Sequence, residues 1–172
     1  MSAVVTTIHA ACRRFGPGRL PGADKPSLGG GYAAASAAVV AASLYAAAAS
    51  STGVGLLGAN EAAVEFAAFA LPFVVPAAFL VGVAGWRLTS PTSPAAGLLA
   101  GLVGTVATYI VAAAIFGAVA VALWARSWDG LLEGATFASL LAYVGFLETW
   151  WATLPVGGLS GVVYASVVRR GR

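Results

Sequence analysis

Residues 88–125 read LTSPTSPAAGLLAGLVGTVATYIVAAAIFGAVAVALWA, 38 consecutive positions without an Asp, Glu, Lys or Arg. A helix needs roughly 20 apolar residues to cross about 30 Å of bilayer hydrocarbon, so this stretch is long enough for one span with residues to spare. It also carries its own start signal. Thr89 to Pro94 is a polar turn in which Ser93 suits the N-cap and Pro94 the first helical position. The segment predicts a membrane helix over 95–125, tilted or extended past the hydrocarbon to absorb its excess length.

Three more stretches lack charge in the same way, residues 26–60, 66–86 and 149–168. They are continuous and rich in Ala, Leu and Gly, without the alternation of outer-membrane strands, and this selects helices over a barrel. The expected fold is an all-α integral membrane protein, a bundle of about four transmembrane helices near 32–57, 61–88, 95–125 and 134–169. The first helix is expected to stop at the Gly53, Gly55, Gly58 cluster, and Asn60 is placed to cap the second. Residues 1–31 read as a flexible basic tail, because Arg13, Arg14, Arg19 and Lys25 alternate with prolines and the Gly29-Gly30-Gly31 run. Residues 129–147 allow three readings: an early start to the fourth helix, an interfacial segment or a re-entrant one. A composition of 60% hydrophobic and 9% charged residues fits a chain whose main solvent is lipid.

With four spans the N-terminal tail, the turn at 89–94 and the C-terminus share one side of the membrane. That side holds Arg13, Arg14, Arg19, Lys25, Arg87, Arg169, Arg170 and Arg172, leaving only Arg126 opposite. The positive-inside rule then places both termini in the cytoplasm of a multi-pass protein of the cell membrane. Glu61, Glu65, Asp129 and Glu133 fall at or near the other face.

The second and fourth helices share a pattern at an offset of 83 residues. Glu65, Leu71-Pro72 and Arg87 correspond to Glu148, Leu154-Pro155 and Arg170. Two parallel helical-hairpin repeats would produce it, and so would two helices that merely descend the same way, each with an acid near one end and an arginine near the other.

Few residues in the spans offer chemistry. Glu65 and Glu148 are the candidate ion- or proton-binding groups, since a carboxylate in a membrane helix is costly and usually faces the bundle or water. The alternative is that both anchor at the outer boundary, where hydration is cheap. Pro72, Pro76 and Pro155 each remove a backbone donor inside an expected helix and read as kinks, or as broken turns whose freed carbonyls meet an ion. Gly97-x-x-x-Gly101 and Gly157-x-x-x-Gly161 set small residues one turn apart and predict close helix packing, within the chain or against another subunit. His9 and Cys12, the single residues of their types, both lie in the tail, so no metal site, haem or cofactor is expected in the spans. No aromatic platform accompanies the basic residues, and nucleic acid is not an expected partner.

These features predict a small non-enzymatic membrane protein, an accessory subunit or homo-oligomer acting by helix packing with a partner in the lipid bilayer. The alternative is a small transporter or channel using Glu65, Glu148 and the proline-broken helices.

Overall fold

The computed structural model describes residues 20–22, 25–52, 61–89, 93–124 and 128–170. The His9 and Cys12 tail, the Gly53 to Gly58 stop, the Asn60 cap and Arg126 lie outside these residues. Four helices follow in order: α1 (Pro26–Thr52), α2 (Glu61–Thr89), α3 (Pro94–Trp124) and α4 (Trp128–Arg170). Among the described residues there is no strand. Each helix is long and apolar enough to cross a membrane, so the chain is an all-helical, four-span membrane bundle.

The helices alternate in direction. α1 packs most closely with α2 and α3 with α4, and looser α2/α3 and α1/α4 contacts close the two hairpins into a ring. Lys25 and Arg87 sit at one end of this ring, and Glu65, Asp129 and Glu133 are exposed toward the other.

α2 and α3 fall within one residue of their expected bounds. The Ser93 side chain accepts the Ala96 amide at 3.1 Å and its carbonyl accepts the Gly97 amide at 2.9 Å, with Pro94 opening the helix. This satisfies donors that an α-helix start leaves without partners.

α1 and α4 both start earlier than the sequence suggests. α1 begins at Pro26 rather than Tyr32, so the Gly29-Gly30-Gly31 run assigned to the tail is helical and buried. The run works as a contact surface: Gly30 faces Trp86, and Gly31 faces Val83 and Phe79. A methyl built on Gly82 would lie 2.7 Å from the Gly30 carbonyl oxygen, so here the α1 and α2 backbones touch. Glycine disfavours an isolated helix in water, but in lipid the backbone must bond to itself, and the missing side chain permits the close approach.

α4 begins at Trp128 and runs 43 residues, about 64 Å of helix. Residues 129–147 are therefore the first part of α4. Asp129 in its first turn complements the positive end of the helix dipole, and Gly134 lies against Val121 of α3. The helix continues through Pro155, as α2 does through Pro72 and Pro76.

The distribution of side-chain size is opposite to that of a soluble domain. Among the described residues the buried hydrophobic ones are Ala, with Tyr45 and Phe116 the exceptions, whereas Ile110, Leu123, Leu140 and Leu159 point outward and are largely exposed. In lipid there is no gain from hiding a leucine, so small residues draw the helices together and large ones face the chains of the bilayer. The Gly97 to Gly161 crossing is the tightest expression of this rule. A methyl on Gly97 would lie 2.6 Å from the Gly161 carbonyl oxygen and 2.7 Å from the Ala165 Cβ, and Gly101 abuts the Gly157 backbone.

Candidate functional site

The looser seam between the hairpins leaves room in the middle of the ring. A cavity of about 800 Å³ runs between the four helices, within the range of small-molecule sites. Its walls are mostly Ala and Gly from α1, α3 and α4 with Phe and Val from α2, and among the described residues no charged side chain lines it. Its exposed lining residues, among them Phe69, Leu88, Leu99 and Val103, all belong to α2 or α3, which places the opening between those two helices, facing lipid. Gly85 borders this opening, and a Cβ added there would meet nothing within 4 Å. Near the Arg87 end Trp86 and Tyr164 meet edge to face at 4.6 Å. Phe116 stands on the wall toward the other end, packed on Phe69 and Phe73 of α2 and Phe137 of α4.

Three hydroxyls cluster at one level of the apolar wall. Tyr109, midway along α3, places its hydroxyl 2.5 Å from Thr149 Oγ1 and 2.9 Å from Thr153 Oγ1, both on α4. The two threonines are one turn apart, so both reach the same phenol. Thr105, Thr108 and Ser160 continue the hydroxyls along the wall toward the Arg87 end.

Next to this level lies Glu148, the single charged residue among the buried ones of the described residues, 1% exposed. Tyr45 of α1, equally buried, donates its hydroxyl to Glu148 Oε1 at 2.8 Å. Ala49, Ala63, Ala67 and Ala152 form the shell around the Tyr45 side of the pair, with Phe66 and Trp151 packed on it. The Trp151 indole nitrogen donates to the Glu148 carbonyl at 2.9 Å. Along α4 the nearest exposed acid is Glu133, fifteen residues or about 22 Å away, so Glu148 belongs to the bundle interior and not to the outer charged rim. Tyr45 lines the cavity, and Glu148 sits behind it.

The structure separates the two acids that the sequence pairs. Glu65 is exposed on the second turn of α2, while Glu148 is enclosed. It brings Gly97 and Gly101 directly against Gly161 and Gly157, so both small-residue motifs serve one contact inside the chain. Pro72, Pro76 and Pro155 are absent from the cavity wall. Among the described residues no group of three His, Cys, Asp or Glu is placed to hold a metal.

Sequence reasoning passed over Tyr45, Tyr109, Thr149 and Thr153. The signal was present: hydroxyl side chains within the charge-free runs, two of them one and five residues after Glu148. Compared with protein-family models, with curated proteins and with solved structures, the chain matches none of them.

Proposed function

We propose that this membrane protein is a non-enzymatic binding protein that takes a neutral, largely apolar molecule from the bilayer into the cavity between its four helices. The observation that carries the reading is the cavity itself, about 800 Å³, uncharged and open toward lipid between α2 and α3. An uncharged wall favours an uncharged occupant, because a desolvated ion without a partner costs several kcal/mol or more. The lipid-facing opening gives such an occupant a route that avoids water.

The four motif glycines contact each other within the chain, so a partner subunit would have to use other faces. A route for ions through Glu65 and Glu148 would need both acids on one path, and they lie apart. Both termini are proposed to be cytoplasmic, from the basic residues at their shared end. The one cysteine, Cys12, makes this testable: a membrane-impermeant maleimide should label it only after cells are permeabilised, and labelling of intact cells would reverse the orientation.

Gly85 gives the test of the binding reading. Its Cβ direction is open, so Gly85→Phe fills the mouth of the cavity without striking the backbone. The variant should fold as wild type does and bind a neutral fluorescent lipid probe at least about tenfold more weakly. Unchanged binding would remove the cavity from the account.

A further inference from the structure

The rings on the cavity wall are gathered toward its two ends, and most of them at one. Tyr45 of α1, Phe66, Phe69 and Phe73 of α2, and Tyr109 and Phe116 of α3 line the half away from Arg87. Trp86 and Tyr164 line the opposite end and pair with each other. Between Phe73 and Trp86, about 20 Å along α2, no ring lines the wall among the described residues, and α1 contributes only Ala and Gly from Gly30 to Ala42.

Phe69, Phe73 and Phe116 meet one another at centroid distances of 5.2–5.9 Å and interplanar angles of 53–86°, and Tyr45 meets Phe66 edge-on at 6.4 Å and 75°. Rings tilted in this way are not stacked flat on each other, so they keep ring surface for the cavity that they line.

A ligand drawn from the bilayer gains little by burying hydrocarbon, because lipid chains are as apolar as the wall. What a group of rings offers and acyl chains do not is the charge distribution of ring edges and faces, which favours another ring over a saturated group of the same size. We propose that the cavity selects a neutral lipid with a flat aromatic ring at one end, seated among Phe66, Phe69, Phe73 and Phe116, and an alkyl tail laid along the Ala and Gly wall toward Trp86. A cation would also be drawn to ring faces, but among the described residues no acidic side chain lines the wall to offset its loss of water. The opening suits side-on entry, since Phe69 at the ring end and Leu88 at the tail end both line it and are exposed. This assignment rests on the cavity being the binding site.

The test compares dodecylbenzene with dodecylcyclohexane, which share the tail and a six-carbon ring and differ in the aromatic character of that ring. In nanodiscs holding the purified full-length protein, each competes with the neutral fluorescent lipid probe at equal mole fraction in the lipid, and dodecylbenzene should bind about fivefold more tightly or better. The double variant Phe69→Leu, Phe73→Leu keeps an apolar wall and removes two rings. It should bring the ratio to about one with the dodecylcyclohexane affinity unchanged, and that retained binding shows that the variant is folded. Phe69→Leu alone, at an exposed position, should already lower the ratio about twofold. A full preference kept in both variants, or equal affinities in the wild type with both lost in Gly85→Phe, would overturn the ring assignment and leave the cavity as the binding site. No saturable binding of either compound would overturn both.

Discussion

Replacement of Gly101 by leucine should abolish the folded bundle, with a cost of about 3 kcal/mol or more and loss of monodisperse protein after extraction. The position allows no smaller outcome, because the added side chain meets the Gly157 carbonyl and the Gly158 backbone, not a flexible side chain that could turn aside. Relief would require α3 and α4 to separate along the Gly97 to Gly161 crossing, and in lipid that contact has no hydrophobic term to replace it. Gly161→Leu should fail in the same way, since it strikes the Gly97 carbonyl. Gly85→Ala is the control. It faces open space and should change the midpoint of unfolding in mixed detergent by no more than about 1 kcal/mol, in the stabilising direction that alanine in a helix favours. If Gly101→Leu left the protein intact and changed only the size of a larger complex, the motif would be an intermolecular face, contrary to the structure.

The Tyr45 and Glu148 pair supplies the second large effect. Tyr45→Phe removes a donor from a carboxyl that is 1% exposed, and should destabilise the bundle by about 1–3 kcal/mol. Glu148→Leu alone should cost a similar amount, because it leaves the Tyr45 hydroxyl facing an apolar side chain. Together the two changes put hydrocarbon against hydrocarbon inside an alanine shell, and the double variant should recover most of what either single variant loses. A double-mutant cycle on the same unfolding midpoint reads this directly. Simple additivity would mean that the hydroxyl and the carboxyl do not depend on each other. Glu65→Leu should stay within about 0.5 kcal/mol of wild type, since Glu65 is exposed.

The contrast between Glu65 and Glu148 shows where the sequence is legible. Their surroundings in the chain are alike, an acid followed by Leu-Pro and then an arginine, and the offset of 83 treats them as equivalent. What separates them is α1: Tyr45 stands over Glu148, more than a hundred residues away in sequence, and periodicity along one helix carries no information about that. The α3 boundaries were legible because Ser93, Pro94 and the charge-free run are local signals that act where they are read. The start of α1 was not, because the effect of Gly29 to Gly31 depends on Gly82, Val83 and Trp86 of another helix. The start of α4 stayed open among an early helix start, an interfacial segment and a re-entrant one, because apolar content alone does not separate them; the structure takes the first, with Gly130 and Gly134 inside one continuous helix. The cavity was the least visible feature, since it arises from the looser α2/α3 contact and belongs to no segment of sequence.

If the ring of four helices holds a neutral lipid, the mass of the protein released gently from its own membrane shows it most directly. The expected mass is that of the chain carrying one neutral lipid, with that added mass absent from Gly85→Phe prepared in the same way. A wild-type chain that repeatedly emerges bare, or with the same lipids as Gly85→Phe, would contradict it.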